Sequence, residues 1–249
     1  MISGVFTASS LFALFTLTVL ELVLGVDNII FLAIVTASIP KDKQSAARRF
    51  GLTLALLGRI GMVLGISWLL RLDKELFSVV GHGFSAKDVI LLAGGLFLVY
   101  KAVTEIYKTT ELKEEDVAPI KVSTGAMAGV ILQIMVVDMI FSIDSVLTAV
   151  GLTRHIELII IAMTIAILAM MFFADALSDF IQAHPSLKML ALAFLVLVGV
   201  LLIADSFGEE IPRTYVYFAI MFSLGVEALN FRRQANLQKQ LNEQGPLGL

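Results

Sequence analysis

Two short runs in this chain carry the same acidic signature inside segments otherwise suited to lipid. In the first, Glu21 is followed six residues later by Asp27 and then Asn28. In the second, Asp138 is followed six residues later by Asp144 and then Ser145, and the copies lie 117 positions apart. A carboxylate at the centre of a bilayer costs at least about 2.5 kcal/mol on insertion scales, so four at matched positions point to an ion pathway. Four carboxylates, an amide and one or two hydroxyls form an oxygen-only donor set. Such a set suits a hard divalent cation, Mg²⁺, Ca²⁺ or Mn²⁺, better than copper or zinc, which recruit Cys and His. The chain has no cysteine, and its three histidines, His82, His155 and His184, are expected in solvated loops. Met135 and Met139 flank Asp138; ordinary packing is the first expectation for them, a thioether contact favouring Mn²⁺ the second.

Spacing sets a geometric problem. Residues six apart on an unbroken helix are turned about 120° from one another, which would splay the two acids of each motif. Glu21 and Asn28, seven apart, do share a face, as do Asp138, Ser142 and Ser145. Unwinding or bending at Gly25 would swing Asp27 round and free backbone carbonyls as further oxygen ligands.

The elements that must hold these residues are membrane helices. Of the 249 residues, 58% are apolar and only 16% charged. Apolar runs long enough to span about 30 Å of hydrocarbon can be placed near 7–37, 50–70, 88–107, 124–150, 156–181, 188–206 and 214–230. They are continuous rather than alternating, which disfavours a barrel. The expected fold is therefore all-α, a polytopic membrane protein of seven transmembrane helices. The first run is too long for a secretory signal and is expected to remain as a helix. A charged linker, 108–123, separates a first repeat, 1–107, from a second, 124–206, leaving 207–249 for the seventh helix and a polar tail. Three is an odd number, so a duplicated three-helix unit must enter the membrane from opposite faces, giving two inverted repeats plus one extra helix. Ser85-Ala-Lys87 and Ser186-Leu-Lys188 open the third helix of each half alike.

Placing the N-terminus outside puts twelve Lys and Arg in cytosolic loops, Lys41, Lys43, Arg48 and Arg49 among them, against five outside: Arg71, Lys74, Lys87, Arg154 and Arg213. The positive-inside rule then favours an external N-terminus and a cytosolic C-terminus. Arg59 lies within a helix and is expected to serve as a structural counter-cation, with an Arg59–Asp175 ion pair tying the halves together. Glu227 is expected to snorkel or to pair with Arg232. Gly61-x3-Gly65 and Gly125-x3-Gly129 match a close-packing pattern.

No Gly-x4-Gly-Lys-[Ser/Thr] phosphate loop is present, so transport driven by ATP is not expected. Moving two positive charges outward against an inside-negative potential costs about 4.6 kcal/mol per 100 mV, which calls for a coupled ion. Two protons moving inward for one dication outward would balance that charge. The partners expected are thus a divalent cation, protons and the bilayer, with no nucleic acid and no enzymatic activity. An intramembrane aspartyl protease would resemble Gly-x-Gly-Asp around one acid, whereas Asp27 follows Leu24-Gly25-Val26. The bland alternatives are buried acids paired to Arg59 that serve only helix assembly, a membrane scaffold, or an exporter of another small solute.

The run from Leu20 to Phe31, the run from Asp138 to Gly151, His184-Pro-Ser-Leu-Lys188 and the stretch from Tyr217 to Asn230 containing Glu227 together resemble the TerC family. These motifs extend from the first helix to the last. The resemblance implies a bacterial inner-membrane protein of the lysine-exporter superfamily, and it alone supplies Mn²⁺ as the cargo and outward as the direction. It also implies that Glu21, Asp27, Asn28, Asp138, Asp144 and Ser145 are the metal-site residues, with Asp175 outside the set.

Overall fold

The computed structural model describes residues 8–66, 72, 74–79, 82–111, 124–153, 155–209 and 211–243. Most of the expected linker, 112–123, lies outside the described residues, as do Arg71 and Arg154 of the charge count. Among the described residues the chain forms eight helices and one short hairpin. In order these are α1 (Ala8–Leu24), α2 (Val26–Thr36), α3 (Lys41–Leu64), β1 (Glu75–Val79), β2 (His82–Ser85), α4 (Ala86–Thr110), α5 (Thr124–Leu152), α6 (Ile156–Ala183), α7 (Pro185–Ser206) and α8 (Arg213–Glu243).

Five helices, α4 to α8, are long and apolar enough to cross a membrane. A sixth span arises if α1 and α2, bent by 41° at Gly25, count as one. The bend falls where an over-long apolar run led us to expect it. The regular helix is interrupted at Gly25, where the Gly25 N–H donates to the Glu21 carbonyl at 2.9 Å and the Ile29 N–H to the Gly25 carbonyl at 3.1 Å. A Cβ on Gly25 would lie 2.6 Å from Sδ of buried Met170, so the absent side chain also lets α6 approach the bend.

Pro40 precedes α3, supplying a fixed φ just ahead of its first turn, and the helix starts nine residues earlier than the run at 50–70 implied. Its opening turns carry Lys41, Asp42, Lys43, Arg48 and Arg49, so α3 is the one long helix of the main bundle that falls short of the apolar criterion. Arg48, expected in a cytosolic loop, is instead 3% exposed within it.

The hairpin was not foreseen, because the stretch between the second and third apolar runs reads as loop. His82 opens its second strand rather than lying in a loop, and Phe77 stacks on Phe84 at 5.5 Å. The hairpin leads directly into α4, whose N-cap is a capping box: the Ser85 hydroxyl accepts from the Asp88 N–H, and the Asp88 carboxylate accepts from the Ser85 N–H. The likeness to Ser186 does not hold at this level. α7 begins at Pro185, and its N-cap is His184, the single residue that joins it to α6. Proline is suited to that first position because the N–H it lacks would have no helical partner.

Helices α4 and α7 cross in backbone contact. A Cβ on Gly95 would lie 2.6 Å from the Gly199 carbonyl and 2.8 Å from Ile203, and one on Gly199 would lie 2.9 Å from the Gly95 carbonyl and 2.8 Å from Val99. These two glycines are where backbone meets backbone across helices. A Cβ on Gly61 or Gly129 would meet nothing within 4 Å among the described residues, and one on Gly65 would meet only its own helix. Gly199→Leu is expected to destabilise by at least the ~1–3 kcal/mol of an overpacked core, because backbone cannot yield as a side chain can. Gly61→Ala and Gly129→Ala should be neutral or stabilising by up to about 1 kcal/mol through helix propensity. Thermal unfolding in detergent separates the two classes.

Residues 1–209 form one compact unit and 210–249 a second. The second is α8 itself, 31 residues unbroken from Arg213 to Glu243, where a span to 230 followed by a polar tail was expected. Within it Glu227 accepts a hydrogen bond from the Asn230 side-chain amide at 3.3 Å.

Candidate functional site

Four helices converge on one guanidinium. Arg59 of α3 is 2% exposed and spends its fork on two acids: Nη1 meets Oε2 of Glu21 at 2.6 Å, while Nε and Nη2 grip Oδ2 and Oδ1 of Asp138 at 3.0 and 2.8 Å. The planar fork matches a carboxylate in this two-point fashion. Asn28 of α2 donates its side-chain amide to Asp138 Oδ1 at 2.9 Å, and the Ser142 hydroxyl, one turn along α5, lies 3.2 Å from Asp138 Oδ2. The Ser145 hydroxyl faces the Glu21 carboxylate. Glu21 is 1% exposed and Asp138 4%. The helical spacings account for this convergence: Glu21 and Asn28 lie seven apart across the bend, and Asp138, Ser142 and Ser145 share one face of α5.

The structure thus brings together Glu21, Asn28, Asp138 and Ser145 of the expected set. Asp27 and Asp144 are half-buried, and among the described residues no group of three or more His, Cys, Asp or Glu is placed to hold a metal ion. Two acceptors remain unused in the cluster: Glu21 Oε1 and Asn28 Oδ1 are buried and accept no hydrogen bond from the described residues. A buried acceptor with no donor costs about 1–3 kcal/mol, which makes it a place where a proton donor, a water or a cation is wanted.

The charged layer divides the apolar interior. On one side of it lie Leu17, Met62, Ile143, Val146 and Met163, and on the other Phe31, Leu32, Leu52, Ile134 and Val137, each group forming a separate buried cluster. A cavity of ≈10 Å³ adjoins the layer, lined by the second group together with Asn28 and Asp138. That is room for about one water-sized species, so an ion here would be stripped of most of its hydration. A much larger cavity of ≈630 Å³ between α3, α4 and α5 offers no comparable chemistry. Apart from Gln133 its walls are apolar, including Met62, Ile90, Phe97 and Met139.

The expected Arg59–Asp175 tie is replaced by two separate networks. Asp175 of α6 pairs with Arg48 at 2.8 Å and Arg49 at 3.5 Å, and accepts from Ser45 at 2.7 Å. Arg48 also donates to Ser178 at 2.9 Å and to Thr36 at the end of α2 at 3.2 Å, and Gln182 donates to Gln44 and Ser178. The reason is helix geometry. Arg48 and Arg59 are eleven residues apart, which returns them to nearly the same face of α3 about 16 Å apart along its axis, so each reaches a different level of the bundle. Sequence reasoning passed over this second network because Arg48 sits in a charged run. The signal available was the polar stripe Asp175, Ser178 and Gln182 at helical spacing on an otherwise apolar helix.

A helical membrane bundle with a buried polar cluster between two apolar clusters defines a class, polytopic membrane proteins with a polar site among their helices. The chain belongs to the Integral membrane protein TerC family, matching it over residues 6–242. It is 48% identical over 221 residues to the UPF0053 inner membrane protein YgdQ of Escherichia coli K12, covering 89% of this chain and 92% of the relative. A UPF0053 protein of Haemophilus influenzae Rd is 45% identical over 220 residues, covering 88% and 92%. The UPF0053 inner membrane protein YoaE of E. coli K12 is 41% identical over 217 residues, or 87% of this chain but 42% of that longer relative. No solved structure matches the chain.

Proposed function

We propose that this protein is a secondary transporter that exports a hard divalent cation, Mn²⁺ in the first instance, through the Glu21–Asp138 layer in exchange for protons. It acts as a carrier, not an enzyme. The observation that carries this reading is the pair of unused buried acceptors, Glu21 Oε1 and Asn28 Oδ1, set beside the Asp138 carboxylate in a layer with apolar clusters on both sides. Oxygen acceptors without donors favour a cation, and the all-oxygen donor set favours a hard one. Asp27, Asp144 and Ser145 complete the proposed ligand set, with Mg²⁺ and Ca²⁺ as competing cargo.

Seven spans in two inverted repeats remain the proposed architecture, α3 being counted as a span. Two observations support it. The α1–α2 pair packs on α6 as α5 packs on α3, the exchange expected of a two-fold relation between the halves. The α4–α7 crossing is reciprocal: Gly95 faces Ile203 and Gly199 faces Val99, each four residues beyond the partner glycine. Contacts whose numbers rise on one helix as they fall on the other belong to antiparallel helices, as an axis in the membrane plane requires. With the N-terminus outside and the C-terminus cytosolic, as the basic loops favour, the location proposed is the bacterial inner membrane, where the names of the relatives place them.

The test is transport in proteoliposomes. A pH gradient that drives protons toward the side facing the cytosol should drive Mn²⁺ the other way, and a protonophore should slow it to the rate set by the metal gradient alone. Carboxylates must lose protons to bind metal, so Mn²⁺ affinity should weaken as the pH is lowered. Transport that ignores the proton gradient would remove the exchange, and no Mn²⁺ flux at all would remove the carrier.

A further inference from the structure

Arg59 is more than a neutralising charge, because of where it stands. Its guanidinium fills the space between the first acids of the two motifs, Glu21 and Asp138, which are the repeat-related pair. The repeat does not demand it: 117 residues further on the position is Ala176. A guanidinium keeps its proton at any physiological pH, so the cluster cannot discharge itself by losing the cation. It is nonetheless tethered on a long, flexible side chain, and it leaves Glu21 Oε1 and Asn28 Oδ1 unused at its edge. An arriving dication can therefore take those two oxygens first and gain the oxygens of Glu21 and Asp138 that face the arginine only as Arg59 withdraws.

We propose that Arg59 is the resident cation of the empty carrier: it occupies the site between Glu21 and Asp138 after cargo has left, and it is displaced from them when cargo binds. This rests on the transport reading above and adds the metal-free state to it: Arg59 partners Glu21 and Asp138 while the exchanged protons return on the other acids of the proposed set. Two bare carboxylates between apolar layers would make that state costly to carry through occlusion, since a buried charge with no partner is far less stable than a paired one. Arg59 removes that obstacle. It also sets a threshold of selectivity, because a monovalent cation offers no more charge than the guanidinium it must displace.

Two assays on the same proteoliposomes separate the steps. Net efflux of radioactive Mn²⁺ into metal-free medium requires the carrier to return without metal, whereas exchange of labelled for unlabelled Mn²⁺ does not. For Arg59→Gln the ratio of net efflux to exchange should fall at least about tenfold from wild type, in keeping with the population shift a lost buried ion pair imposes. For Arg59→Lys, which keeps the charge, the ratio should stay near that of wild type. An Arg59→Gln protein that inserts and folds but loses both fluxes in parallel, or keeps both, overturns the proposal. If Arg59→Gln does not insert, Arg59→Lys decides: an unchanged ratio supports the proposal, and persisting exchange with lost net efflux overturns it. Wild-type protein that catalyses neither flux would instead overturn the transport reading, and this inference with it.

Discussion

Arg59→Met is expected to lower the metal-free protein's unfolding free energy by about 3–5 kcal/mol, the usual penalty for leaving buried charges without their partner. Glu21 and Asp138, 1% and 4% exposed, would then face each other with Asn28 and Ser142 as the remaining donors to Asp138. The triple change Glu21→Gln, Asp138→Asn and Arg59→Met removes the charges together and should recover most of the loss, since replacing a whole buried ion cluster is often neutral or stabilising. The comparison is a mutant cycle on detergent-solubilised protein, and the expected signature is strong non-additivity. If the single and triple variants are equally unstable, the cluster is held by packing rather than by charge. Added Mn²⁺ should restore stability to Arg59→Gln more than to wild type, because a ligand stabilises the state that binds it and the competing guanidinium is gone.

Asp27→Asn and Asp144→Asn should each reduce Mn²⁺ export by at least about 100-fold while leaving the protein folded and inserted. Loss even of an outer partner of a metal site commonly costs 10–100-fold, and these changes remove a charged ligand. Insertion should be no harder, since each variant carries one charge fewer into the bilayer. Cells expressing either variant and tolerating manganese as well as those expressing wild type would dismiss both residues from the site.

Much of this arrangement was legible in the sequence because charge inside an apolar run is conspicuous. Glu21, Asn28, Asp138 and Ser145 stood out by matched spacing, and they come together in the structure as their helical faces require. The bend at Gly25 could be anticipated from a run too long for one straight span, whereas the approach of Met170 to it, from another helix, could not. What the sequence withheld were facts of packing between helices. Arg59 could be recognised as a counter-cation but not assigned its partners, because the level at which α3 meets α1, α5 and α6 is written in no local pattern. The same holds for glycine. Gly61-x3-Gly65 has the familiar spacing on one helix and meets no other helix among the described residues, whereas Gly95 and Gly199 touch across two helices and are far apart in the chain. Arg48 was hidden by its neighbours: in a basic stretch a buried arginine looks like one more solvated charge.

The central claim is that the layer around Glu21 and Asp138 binds a divalent cation, and electron paramagnetic resonance of Mn²⁺ tests it most directly. Free aqueous Mn²⁺ gives a sharp six-line spectrum that is lost on binding, so titration into purified protein counts bound ions without requiring transport. Wild type is predicted to bind Mn²⁺ in a manner that Mg²⁺ or Ca²⁺ in excess can reverse, and Glu21→Gln to bind it far more weakly at unchanged fold. A six-line signal undiminished by the wild-type protein, or diminished equally by Glu21→Gln, would contradict the claim and leave the buried ions a purely structural role.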